Sequence, residues 1–423
     1  MAAIKAFNAL RFTPKAGNPE ELVCPPYDLL DEREREAFLA RNKHNIACLE
    51  LPREGPDPYA QAGGVLQSWL ENSVLAADET PGMYFYEAVP TPQEGQPGVT
   101  GLYCMVRLEE FENGVILPHQ YTMPKPKADR FNLMCACGCN FSSIHSLYSD
   151  KEGKIYPRLR ALAEGAPVME FSGCDGTVHK VWKIGSPAEI SEIAALFADK
   201  KLHIADGHHR YETALSYRNH LRAQKGVQER EADYVMMTLT NMEHPGLNVF
   251  PMHRIVRDLK NFDAEKLLEN CGEYFALQKA VPGELQNALA QTRQDGEKMI
   301  GLCLPETAYL LCLRDLSIID ELMPDTGKVM RSLDVNILHN LVLERFLGID
   351  RANMAYKKNL TYTHSAPLAV NAALNGRANC AFLLGAPRLE DIAAIASAGE
   401  RLPQKSTYFY PSLIAGHIMA MVR

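Results

Sequence analysis

Leu202 to Ala214 reads LHIADGHHRYETA, and its Asp206–Thr213 portion carries an acid, a glycine, two imidazoles, an arginine, a tyrosine and a hydroxyl. Leu202, His203, Ile204 and Ala205 form a short, largely apolar run suited to a strand. From Tyr211 the pattern turns helical, with Tyr211, Ala214, Leu215, Arg218 and Leu221 on one face. The switch of period places Asp206, Gly207, His208, His209 and Arg210 on a strand-to-helix turn. At such a turn the backbone N–H groups of the helix start point at any approaching anion. Gly207 lets the backbone bend or come close to a ligand, Arg210 offers a planar fork for phosphate oxygens, and Asp206 can act as a base or help hold a metal.

Other readings of the turn remain open. Asp206 could cap the helix while the histidines decorate a polar surface. Two adjacent imidazoles and an arginine on the same turn exceed what a cap needs. The string ADGHHRYETA resembles the signature of a bacterial and archaeal family known as a domain of unknown function, and the similarity runs over nearly the whole chain. Further matching pieces are VCPPYD (Val23 to Asp28), LPHQYT (Leu117 to Thr122), Asp129-Arg130 and PQKSTYFYP (Pro403 to Pro411). More remotely, Gly207, Arg210 and Ala214 are similar to the G-x-x-R turn, followed by alanine, of the ParB/sulfiredoxin superfamily. Its members bind or hydrolyse nucleotides, and one branch phosphorylates free serine. His208 and His209 stand where that superfamily usually has an acid and an arginine, which turns the expectation from a clamp on DNA to small-molecule chemistry.

Composition narrows the class. A chain of 423 residues with 46% hydrophobic and 23% charged residues is globular and long enough for two cores. The formal charge of -8 disfavours nucleic acid as a partner, because backbone binding rests on lysine and arginine. No run approaches the roughly 20 apolar residues of a membrane span, and the opening MAAIKAFNALRF lacks the apolar heart of a secretory signal. No membrane partner is expected, and the expected compartment is the cytoplasm. The 11 cysteines, an odd number in no disulfide pattern, fit reduced thiols. Cys135, Cys137 and Cys139 would share a face if MCACGCN were a strand and would splay if it were a helix.

In chain order, Ala6 to Phe12 reads as an opening strand, with Arg11 near a site. Pro25 and Pro26 stiffen a turn bearing Tyr27 and Asp28. Asp31 with Glu34 starts a helix through about Arg41 in the manner of a capping box. A helix face follows at Tyr59, Ala62, Leu66, Trp69 and Leu70. Met83 to Val89 and Thr100 to Phe111 read as paired strands around a Pro- and Gly-rich loop at Pro90 to Gly98. His119 follows a short strand, and Lys125 and Lys127 flank prolines in a loop before Asp129 and Arg130. Ser142 to Tyr148 and Val178 to Ile184 read as strands, with helices at Ile155 to Leu162 and Pro187 to Phe197. A polar link from Arg222 to Asp233 leads to a strand at Tyr234 to Thr240, and His253 with Arg254 comes after a further turn. Helices then alternate with strands. Near the end Lys405, Ser406 and Thr407 supply a cation and two hydroxyls, a set that can contact phosphate or magnesium. The glycines of a Walker loop are missing.

The expectation is an α+β protein. Residues 1–258 form a ParB/sulfiredoxin-like core that carries the DGHHR turn, and residues 259–423 form a C-terminal α/β lobe carrying the KST segment. The resemblance implies nucleotide-dependent phosphoryl transfer to a small hydroxylated metabolite, free serine in the first instance, or hydrolysis of phosphoserine. ATP or ADP and Mg2+ are the implied cofactors. Asp206, His208 and His209 are the catalytic candidates; Gly207, Arg210, Thr213, Lys405, Ser406 and Thr407 are the phosphate and nucleotide candidates. Asp28, His119, Arg130, His253 and Arg254 form a second rank. Two alternatives stay open: a ParB-like nucleotide-binding regulator without turnover, and a metal-dependent hydrolase with His119, His208, His209 and Asp206 as ligands.

Overall fold

The computed structural model describes residues 1–90, 98–226, 230–294, 298–355 and 358–423. Most of the Pro90–Gly98 loop and part of the Arg222–Asp233 link therefore lie outside the described residues. The chain forms two compact units. The first comprises residues 1–118, 122–248 and 411–423, and the second comprises residues 119–121 and 249–410.

The first unit is built on a mixed nine-stranded sheet. From one edge its strands run Ile116–Leu117, Leu202–Asp206, Ile144–Tyr148, Tyr234–Asn241, Val99–Arg107, Met83–Val89, Val178–Ile184 and Met169–Ser172, with Ile4–Lys5 also pairing with Val99–Arg107. Strand alternation explains why both faces are covered. Leu102, Cys104, Val106, Val235, Met237 and Leu239 share a core with Leu159, Phe197, Tyr211 and Leu215, which lie on the helices Ile155–Leu162, Pro187–Phe197 and His208–Lys225. Tyr103, Met105 and Met236 belong to a second core with Tyr84, Tyr86 and Ile418. The final residues thus return to the first unit.

Several expectations need correction. Ala6 to Phe12 is not one strand: Ile4–Lys5 enters the large sheet, while Leu10–Phe12 pairs with Leu75–Ala77 in a separate ribbon. Arg11 is spoken for, because its Nε and Nη2 donate to Asp78 at 2.9 and 2.5 Å. The Lys125–Lys127 stretch is the start of a helix, Pro124–Cys137, rather than a loop. Proline at the first helical position loses no hydrogen bond there, and Pro126 is still within the first turn. Gly138, at φ 56°, ends that helix in the left-handed region and turns the chain into the strand Cys139–Asn140. The cysteines consequently splay, with Cys135 exposed and Cys137 and Cys139 buried.

The second unit holds a six-stranded sheet in the order Phe275–Ala280, Ala308–Leu313, Met299–Cys303, Cys380–Leu383, His253–Val256 and Leu360–Thr363. Every pairing in it is antiparallel, so the lobe is α+β and lacks the parallel crossovers of an α/β unit. His253–Val256 is an inner strand of this sheet. A cut at residue 258 would separate it from both neighbours.

Three histidines of the first unit are buried and hydrogen-bonded in its polar interior. His145 Nε2 meets Thr240 Oγ1 at 3.1 Å, His179 Nδ1 meets Tyr86 Oη at 2.7 Å, and His417 Nε2 meets Tyr103 Oη at 2.9 Å. Burial lowers their basicity, to about 4, about 4 and about 3 in turn; Arg210 adds to the effect at His145, and His179 adds to it at His417. Unfolding returns each to about 6.5, so the unfolded chain binds more protons than the native one below that pH. Stability should therefore be whole above about pH 6.5 and fall as pH drops toward 4. Urea unfolding midpoints measured from pH 7.5 to 4.5 check this, and a flat profile across that window would contradict buried neutral imidazoles.

Candidate functional site

The strand Leu202–Asp206 ends on Asp206, and the helix His208–Lys225 starts two residues later. Between them Gly207 adopts φ 95° and ψ 24° as the N-cap residue, and it has no side chain with which to cap the helix. The Arg210 guanidinium folds back over Gly207. A Cβ placed there would come within 3.1 Å of Arg210 Cζ. Glycine is thus required twice, for the left-handed backbone and for the guanidinium above it.

Arg210 is held from two sides. Nη2 donates to Asp206 Oδ2 at 2.6 Å, and Nη1 donates to the Ser143 carbonyl on the neighbouring segment. Its side chain is 11% exposed, whereas that of Asp206 is 48% exposed. Burial acts to lower the basicity of Arg210, but the charges of Asp206, Asp28 and Glu50 outweigh it and the net shift is upward. The two distant sequence pieces VCPPYD and DGHHR therefore act on one guanidinium. Tyr27, in the first of these pieces, is within electrostatic reach of Arg210 and Asp206 in the second. The Arg130 guanidinium sits 4.1 Å above the Tyr27 ring, and burial, then Asp28, push the Tyr27 phenol well above its ordinary range.

Arg130 is buried. Its Nη1 donates to the Glu50 carbonyl at 2.6 Å, and its Nε and Nη2 donate to Asp129 Oδ2 at 2.8 and 2.6 Å. Glu50 is 4% exposed and accepts a 2.6 Å bond from the Ser142 hydroxyl. Glu50, Arg130, Ser142, Arg210 and Thr213 line a cavity of about 40 Å3, room for ordered water. Thr213 is thus an interior residue. It is buried, and its hydroxyl has no partner among the described residues.

Two neighbours fix the rest of the turn. His209 Nε2 accepts the Met123 N–H at 3.0 Å, so that nitrogen is unprotonated and its lone pair is engaged. Glu212 accepts from Thr122 Oγ1 and Lys127 Nζ, each at 2.7 Å, which ties Lys127 to the helix rather than leaving it to solvent. His208 is buried on the same turn.

The remaining candidates belong to the second unit. There His119 Nε2 lies 3.0 Å from Thr407 Oγ1, and Gln120 Nε2 donates to the same hydroxyl at 2.7 Å. Ser406 is buried and donates to the Pro403 carbonyl at 2.6 Å, while Lys405 holds φ 53°. His253 and Arg254 are fully buried. Among the described residues no group of three histidine, cysteine, aspartate or glutamate side chains could hold a metal ion, so the ligand set His119, His208, His209 and Asp206 of the hydrolase alternative is not assembled. No described helix is long and apolar enough to cross a membrane. Sequence reasoning missed Glu50, Ser142 and Ser143, which sit in unremarkable strings and reach the site through tertiary pairing.

The turn makes a direct demand on stability. Gly207→Ala should cost about 1 to 2 kcal/mol for the left-handed backbone, before any displacement of Arg210. Chemical denaturation of that variant checks it, and a cost near zero would mean that the turn relaxes into another conformation.

No similar sequence was found among curated proteins. Among solved structures, a free serine kinase variant in complex with ADP is 12% identical with a TM-score of 0.40, over 79% of this chain and 95% of that one. A conserved hypothetical protein from Pyrococcus furiosus is 14% identical, TM-score 0.36, over 73% and 90%. SbnI from Staphylococcus aureus, truncated at its C-terminus, is 11% identical, TM-score 0.34, over 73% and 82%. Residues 4–336 match the model of the family described as protein of unknown function (DUF1015), and the chain belongs to that family.

Proposed function

We propose that the first unit is a ParB/sulfiredoxin-like core whose DGHHR turn binds a nucleoside di- or triphosphate and transfers a phosphoryl group to a small hydroxylated metabolite, free serine being the first acceptor to test. The observation that carries the reading is a buried, doubly anchored guanidinium beside the start of a helix of 18 residues, whose N-cap residue is Gly207. A helix start and an arginine fork address the same anion. Two of the five N–H donors of Arg210 fix the fork, and the others are what an incoming phosphate would meet.

In this scheme the acceptor hydroxyl oxygen attacks the terminal phosphorus and the bond from phosphorus to the leaving nucleotide oxygen breaks. The hydroxyl proton passes to Asp206, whose carboxylate is half exposed and already oriented by Arg210. His209 is a weaker base through Nε2, because that nitrogen accepts the Met123 N–H; it holds the loop before the helix instead. With Asp206 as the base, Mg2+ carried by the nucleotide would have Asp28, within electrostatic reach of Arg210, as its protein ligand and would offset phosphate charge.

Arg210→Lys should weaken nucleotide binding by about 1 to 3 kcal/mol, since the charge stays and the fork is lost. Calorimetry with ATP, ADP and CTP measures this, and equal affinity in parent and variant for every nucleotide that binds would sink the phosphate role. Asp206→Asn should lower phosphoserine formation from serine and nucleotide about a hundredfold or more with nucleotide affinity largely kept. Full turnover in that variant would move the base elsewhere.

A further inference from the structure

The second unit encloses a cation with no counter-ion among the described residues. Arg254 is fully buried, and its guanidinium is held by neutral groups: Nε donates to His339 Nε2 at 3.0 Å, Nη1 to the Met252 carbonyl at 2.5 Å, and the Tyr362 ring lies 4.8 Å away. Nη2 has no partner among the described residues. His339 must accept at Nε2, so its proton is on Nδ1, and that nitrogen is also buried without a partner among them. Both orphan groups are donors. What is missing at each is an acceptor.

A buried guanidinium without a carboxylate is strongly disfavoured in an apolar interior, and burial depresses the basicity of this one to about 10. Nothing in the core chemistry of this sheet requires it. Val256, two residues along on the same face of the strand, packs among leucines and Phe382. The helix that brings His339 is also irregular, since Leu338–Phe346 has the wide i to i+5 turn that recurs at functional sites. A cavity of about 260 Å3 opens in the same unit; Met252 and Ser406 line it with Lys298, Arg388, Asp334 and Asp391, whereas Arg254 and His339 do not. Met252 is the residue whose carbonyl anchors Arg254, and Ser406 follows Lys405, a non-glycine residue held at φ 53°. Arg254 and Lys405 both act to make the Tyr362 phenol more acidic, against the larger opposing effect of burial, so both cations lie near one ring.

We infer that the second unit contains an oxyanion-binding site, anchored by Arg254 and His339 and flanked by Lys405, for the carboxylate or phosphate of a small metabolite. The inference stands apart from the nucleotide reading of the DGHHR turn. An anion there would accept from Arg254 Nη2 and His339 Nδ1 and supply the missing negative charge.

The test is thermal unfolding of the full chain against rising inorganic phosphate or formate, with sodium chloride at matched ionic strength as control. The parent should be stabilised in a saturable way by at least one of the two anions beyond the chloride control. Which anion acts tells a phosphate-bearing ligand from a carboxylate-bearing one. Arg254→Met should melt at or above the parent temperature without anion, because an isolated buried charge is gone, and its apparent affinity for the anion should fall at least about tenfold. Arg210→Lys should keep the response. A response that survives Arg254→Met, or one lost in Arg210→Lys, would assign the anion to the turn and overturn the site. Should Arg254→Met fail to fold, the parent and Arg210→Lys titrations still decide: no response to either anion in the parent, or none in Arg210→Lys, removes the proposal.

Discussion

The short ion pair between Arg210 and Asp206, braced by the Ser143 carbonyl, is the constraint on which the candidate site depends. It joins the end of one strand to the start of the helix and stitches both to the neighbouring strand segment. An exposed pair of this type contributes little, because water screens it and side-chain entropy opposes it. Here one partner is buried and the other is half exposed. Removing Asp206 would leave a guanidinium in the interior with less charge around it, whereas removing Arg210 would leave an aspartate that water can still solvate. The pair is therefore asymmetric, the guanidinium being its buried member and the carboxylate its solvated one.

Much of this was legible in the sequence because it is local. The change from a short apolar run to a helical pattern marked the strand-to-helix turn, although the helix starts at His208 rather than Tyr211, and the capping box at Asp31 and Glu34 is present as read. The strands Met83–Val89 and Val178–Ile184 and the helix Pro187–Phe197 also match their patterns, since each is long and regular enough to outweigh its ends. Where the reading went astray, a local signal had two meanings. Prolines at 124 and 126 suggested a loop, yet a proline in the first turn of a helix loses nothing, and the helix Pro124–Cys137 begins there.

The missed residues share another cause. Glu50 closes a short helix, Ser142 and Ser143 precede a strand, and His339 sits within a largely apolar helical stretch, Leu338–Phe346. None belongs to a local pattern that marks chemistry. Each acquires a role only when distant segments meet: Glu50 with Ser142 and Arg130, His339 with Arg254. Sequence order brings together what is near along the chain, and buried polar pairing is a property of the fold. Thr213 is the converse, a residue marked by its place in a motif that the helix carries inward.

Charge decides what the DGHHR turn could accept. Asp28, Glu50, Asp129 and Asp206 gather around Arg130 and Arg210, so carboxylates outnumber guanidiniums there. A bare polyphosphate approaching such a cluster would meet repulsion as well as the helix start and the fork. On the proposed reading, such a field would favour an anion that brings its own cation, with Asp28 to meet the cation and Arg210 the phosphate oxygens. The acidic excess, at first sight an obstacle to phosphate binding, is then the feature that would discriminate a metal–nucleotide complex from free phosphate.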